Sequence, residues 1–121
     1  MRYSNRNKKY NPDYVRKLIG NNPNIYFDLA FGNAGSVYPG SGEHQARVWG
    51  KSGSAVGQAW LDLIADYPYR FLAALDIGGD RVDRVSKNTQ TIRAFIDSLP
   101  KETQEVVAYK AAWKLLFSED I

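Results

Sequence analysis

Apolar side chains recur at helical spacing along most of this chain and alternate in strand fashion over only a small part of it. Tyr14, Val15, Leu18 and Ile19 share one helix face. Asn11-Pro12 before them supplies a cap and a first-turn proline, and Gly20 after them suits a left-handed stop, so a short helix is expected over 12–19. The longest stripe is Val56, Ala59, Trp60, Leu63, Ile64 and Tyr67, which predicts an amphipathic helix from Ser54 onward. Asp66 and Pro68 then open a further short helix with Phe71, Leu72 and Leu75 inward and Gly78-Gly79 at its end. Asn88 is expected to cap a helix whose stripe is Ile92, Phe95, Ile96 and Leu99. Pro100 starts the last helix, with Val106, Tyr109, Trp113, Leu116 and Phe117 as its expected apolar face. Glu102 and Glu105 toward its start and Lys110 and Lys114 toward its end match the helix dipole.

Strand signals are fewer. Residues 25–31 are rich in aromatic and β-branched groups, and residues 45–49 alternate polar with apolar. A Gly/Ser-rich loop between them makes a long-looped hairpin the natural pairing. Residues 80–87 fit either a strand or a helical turn. The expected fold class is therefore α+β and mostly helical, with about five helices and a small two-stranded β element in the N-terminal third. Residues 1–10 hold no apolar periodicity and read as a flexible basic arm; residues 11–121 read as one compact domain, large enough for a core without metal or disulfide support.

Composition narrows the chemistry. The chain has no cysteine, which excludes a disulfide framework, a thiolate nucleophile and cysteine-based zinc sites. It has no apolar run near membrane-spanning length and no signal-like apolar stretch at its start, so no membrane association and a cytoplasmic location are expected. Aromatic residues are abundant, with three Trp, eight Tyr and five Phe, and tyrosine favours binding surfaces because it is stiff and amphipathic. The net charge of +3 is unevenly spread: residues 1–23 carry six basic side chains against Asp13, and residues 24–121 carry ten against twelve acidic ones.

Several motifs come close to known chemistry and break at a required position. Trp49-Gly50-Lys51-Ser52 has the ending of a phosphate-binding loop, but Gln45 stands where its first glycine belongs. Gly50-Lys51-Ser52-Gly53-Ser54 lacks the last glycine of a serine nucleophile elbow, and Ser52 and Ser54 are more simply helix caps. His44, the sole histidine, reads as a loop residue beside Glu43. Asp76, Asp80 and Asp83 form an oxygen-rich cluster of the kind that holds Mg²⁺ or Ca²⁺, but Arg81 and Arg84 are interleaved with it. Asp62 and Asp66 lie opposite the apolar stripe of their helix and read as a solvated face. Two helices at 68–77 and 88–98 sit about Gly78-Gly79, yet their connection is longer than the turn of a helix-turn-helix.

The basic arm is the most informative feature. Arg2, Arg6, Lys8, Lys9, Arg16 and Lys17 offer charge to phosphates, and Tyr3 and Tyr10 offer rings to unpaired bases. These eight residues are the expected nucleic-acid-binding set, with no catalytic residue, metal or cofactor expected. The leading expectation is a small non-enzymatic protein that binds nucleic acid or a nucleoprotein complex. The plainer reading of the arm is a solubilising tail. Two other classes fit the sequence. One is a small inhibitor of the phage or plasmid type that blocks a larger host machine by protein–protein contact, suggested by the aromatic content and the lack of catalytic motifs; the 32–44 loop with Val37 and Tyr38 is a further place for recognition, assigned to no partner. The other is a small metal-dependent hydrolase using the 76–83 aspartates.

Overall fold

Helix α1 (Pro12–Asn21) opens on its proline and buries Val15 and Ile19. The computed structural model describes residues 12–30, 55–75 and 77–121, apart from the side chains of 55–57. The expected strand 45–49, the 32–44 loop and the arm lie outside them. Gly20 stays within α1 and does not stop it; Asn22 does so instead, donating from Nδ2 to the Leu18 carbonyl at 2.9 Å and from its backbone N–H to Ile19 at 3.3 Å.

Strand β1 (Phe27–Asp28) follows, and helix α2 (Ala55–Asp66) buries Trp60, Leu63 and Ile64 as its periodicity predicts. The short helix expected at 68–77 does not form. A residue before proline is pushed out of the α region, and Tyr67 accordingly sits at φ −132°, ψ 52°. The chain makes one 3₁₀ turn (Pro68–Arg70) and becomes extended at Phe71, φ −119°, ψ 130°. Strand β2 (Phe71–Leu72) then pairs with β1 in parallel, Phe27 opposite Phe71 and Asp28 opposite Leu72. Leu29 lengthens the ladder by donating to the Leu72 carbonyl at 2.8 Å. The β element therefore joins the N-terminal third to the middle of the chain and is not a local hairpin. Parallel pairing requires a long crossover, and α2 lies within it. Loss of the 68–77 helix also removes the first member of the helix-turn-helix.

Gly79, at φ +61°, turns the chain into a 3₁₀ segment (Arg81–Arg84) that runs into helix α3 (Val85–Asp97). Because α3 begins at Val85, Asn88 lies inside the helix, buried, and does not cap it. The final helix, α4, joins three contiguous stretches: Lys101–Glu105, a π turn at Val106–Lys110, and Ala111–Phe117. Among the described residues there are four helices, against the expected five or so.

The core gathers Val15 and Ile19 of α1, Leu29, the α2 stripe, Phe71, Ile92 of α3, Leu99, and Val107 of α4. Among the described residues no helix is long and apolar enough to cross a membrane. The face that α4 turns to this core is not the expected one. Thr103, Val107 and Ala111 are buried, whereas Tyr109, Trp113, Leu116 and Phe117 are exposed. The π turn accompanies this choice: the Val107 carbonyl accepts the Ala73 N–H at 3.0 Å, carrying the hydrogen bonding of β2 onto the helix.

A π turn also brings side chains five apart together, and Lys110 meets Glu105 at 2.8 Å. The hydrogen bond from Lys110 holds the Glu105 carboxyl below its ordinary value, and the same bond raises Lys110. The Glu105 contribution to stability is present above the unfolded carboxylate range and is lost as pH falls through its lowered pKa. The Lys110 contribution is present below the ordinary lysine range and is lost as pH rises through its raised pKa. The melting temperature of E105Q should therefore fall furthest below wild type near neutrality, and the gap should close in strong acid and in strong base. A gap independent of pH would assign Glu105 a role other than this ion pair. Glu105 is exposed and Lys110 half-buried at the surface, so the effect is small.

Candidate nucleic-acid interface

Tyr67 and the 3₁₀ turn Pro68–Arg70 fill the connection between α2 and β2, and Tyr67, Tyr69 and Arg70 each meet a different element. Three directions give three partners. Toward α1, the Arg16 guanidinium lies over the Tyr67 ring at 5.5 Å and donates to Asp66 at 2.7 Å. Toward α4, the Lys114 ammonium lies 5.2 Å from the Tyr69 ring centroid. Toward the loop before β1, Arg70 stands over Tyr26 at 5.2 Å and donates to the backbone carbonyls of Pro23 and Ile25, the latter at 3.3 Å.

The result is three ring–cation pairs around one turn. Tyr26 and Tyr69 remain exposed, so each presents π surface beside a positive charge. Rings stack on bases, and neighbouring cations meet phosphates. The charges are partly compensated within the fold: Asp66 neutralises Arg16, and Lys114 pairs with Asp120 at 2.7 Å. The hydrogen bond with Asp66 raises the Arg16 pKa, and that with Asp120 raises Lys114, so both remain cationic at neutral pH.

Of the eight residues expected to bind nucleic acid, Arg2, Tyr3, Arg6, Lys8, Lys9 and Tyr10 lie outside the described residues. Arg16 and Lys17 stand on the second turn of α1, where Lys17 is exposed and Arg16 is engaged with Asp66 and Tyr67. Sequence reasoning did not single out Tyr26, Tyr69 or Arg70. The Tyr-Pro-Tyr-Arg run was a usable signal, since the proline bars α2 from continuing and leaves two rings and a cation around the turn that follows.

Among the described residues no group of three or more His, Asp or Glu side chains is placed to hold a metal ion. Asp80 and Asp83 are exposed, while Asp76, His44 and the 49–54 motif lie outside the described residues. Asp62 is exposed and accepts from Gln58 at 2.7 Å.

Arg70 is the structural pivot of the surface. Replacing it with alanine leaves the Pro23 and Ile25 carbonyls without this donor and Tyr26 without its cation. The expected loss is about 1–2 kcal/mol of unfolding free energy. R70K, which keeps the charge but not the forked donor, should recover only part of it in urea denaturation. Equal stability of R70A and wild type would show that water replaces both bonds without penalty.

No known protein family, curated protein or solved structure matches this chain.

Proposed function

We propose that this chain is a non-enzymatic protein that binds nucleic acid, free or within a nucleoprotein complex, through its basic N-terminal segment. One observation carries the reading: six basic side chains stand against a single acid within residues 1–23, beside a remainder of opposite and smaller net charge. Such a segment is drawn to a phosphate backbone by counterion release, whatever the base sequence. Support comes from α1, which begins at Pro12 and holds Arg16 against the tyrosine turn. In the described fold Tyr26 and Tyr69 are exposed beside the cations Arg70 and Lys114. Rings beside cations favour unpaired bases, whose faces are open for stacking.

The test is a titration of the full chain with single- and double-stranded DNA and RNA across a salt series. Affinity that falls steeply with salt and is higher for single strands supports the reading. Association that is absent, or indifferent to salt, overturns it. Replacing Tyr26 and Tyr69 with leucine should weaken single-strand binding by about 1–3 kcal/mol per stacked base and leave the salt slope unchanged.

A further inference from the structure

The three cations at the tyrosine turn are held in two different ways. Arg70 is tied to the neutral backbone carbonyls of Pro23 and Ile25, whereas Arg16 and Lys114 are held by carboxylates, Asp66 and Asp120, each at 2.7 Å. Asp66 is the last residue of α2 and reaches across to α1, 50 positions earlier in sequence. Asp120 meets Lys114 only because the helix stops between them. On a continuous helix, residues six apart point about 120° away from each other and lie about 9 Å apart along the axis, out of reach. Ser118, at φ 58° and ψ 25°, ends α4 in the left-handed region, with its N–H donating to the Lys114 carbonyl at 2.9 Å. The chain beyond it brings the Asp120 carboxylate back onto the Lys114 ammonium. All four side chains are at least 39% exposed, so a strand in solution can reach them.

Resting on the nucleic-acid reading above, we propose that Asp66 and Asp120 are built-in competitors of phosphate, which withhold Arg16 and Lys114 from the backbone of a bound strand and so limit its affinity. The chemistry of the two acceptors is the same. A carboxylate and a phosphate each offer anionic oxygens to a guanidinium or an ammonium, through charge-assisted hydrogen bonds of similar length. A cation closed in an ion pair presents no net charge, so a phosphate that approaches it releases no counterion unless it first displaces the acid. The Tyr26 and Tyr69 rings meanwhile stay exposed. The turn therefore contributes stacking, and the unpaired cations of residues 1–23 contribute the charge. An exposed ion pair adds little to folding, so competition is the larger consequence of these two carboxylates.

The test is fluorescence anisotropy of a single-stranded thymidine oligonucleotide titrated with the full chain, from about 50 to about 200 mM salt. Asp66→Asn and Asp120→Asn each release one cation. Each should steepen the slope of log K against log salt by about 0.7 and raise affinity roughly fourfold at about 150 mM salt. The two sites are separate, so the double variant should show both increments in full. Glu102→Gln is the control for net charge. It removes the same charge from an exposed position on α4, about 18 Å along the helix axis from Lys114 and beyond the screening length. It should change affinity by less than about twofold and leave the slope as it is. Melting temperatures of all the variants should stay at the wild-type value. A wild type without salt-dependent binding overturns this inference together with the nucleic-acid reading. A wild type that does bind in that way, with both asparagine variants keeping its slope or gaining no more than Glu102→Gln, overturns this inference alone.

Discussion

Phe71→Ala is expected to destabilise this protein by about 3–5 kcal/mol, the largest effect of any single substitution considered. Phe71 is 1% exposed and lies where three elements meet. Its backbone carries the parallel pairing with Phe27, its ring stacks on the Phe27 ring at 5.5 Å, and its side chain belongs to the cluster to which all four helices contribute. Truncation removes the transfer free energy of the ring and leaves a cavity that packed neighbours on several sides cannot close. The measurement is urea denaturation by circular dichroism, with a lowered midpoint and an unchanged slope. Leu75→Ala is the comparison. Leu75 was expected inside the same helix as Phe71, but it is exposed, so its loss should stay below about 1 kcal/mol. Equal losses at the two positions would contradict the packing described for β2.

Neutralising the arm should have the second largest effect. Arg16 is engaged with Asp66, so the expected phosphate contacts are Arg2, Arg6, Lys8, Lys9 and Lys17. Five contacts on a single strand predict a slope of log K against log salt of about −3.5, or roughly a hundredfold loss of affinity between 50 and 200 mM. With Arg2, Arg6, Lys8 and Lys9 replaced by glutamine, one contact remains and the slope should fall to about −0.7, a two- to threefold loss over the same range. The variant should keep the wild-type melting temperature, which separates lost binding from lost folding. A variant slope as steep as wild type would move the binding surface from the arm to the folded domain. A wild-type slope near zero would remove the nucleic-acid reading altogether.

These two expectations were legible in the sequence to different degrees. The charge asymmetry is a property of order along the chain and is visible without coordinates. The helical stripes of α1, α2 and α3 were legible because each is wide and built from residues that agree with one period. Phe71 was recognised as an inward residue but in the wrong element. Period alone does not separate a short buried strand from a helical turn, and the deciding partner, Phe27, lies 44 positions earlier. Tyr26, Tyr69 and Arg70 escaped notice for the same reason: each gains meaning from a neighbour distant in sequence.

The sequence by itself determined a mostly helical chain, the positions of the α2 and α3 stripes, the proline starts of α1 and α4, and the concentration of positive charge in its first 23 residues. Only the tertiary structure decided that residues 71–72 pair in parallel with β1, and that α4 buries Thr103, Val107 and Ala111 in place of its aromatic face. The physical reason is shared. Local preferences fix what a segment can bury, but the face it does bury depends on the shape and unpaired backbone groups of the surface it meets. Here that surface offered the Ala73 N–H, the Val107 carbonyl of the π turn accepted it, and the larger apolar stripe was left facing outward.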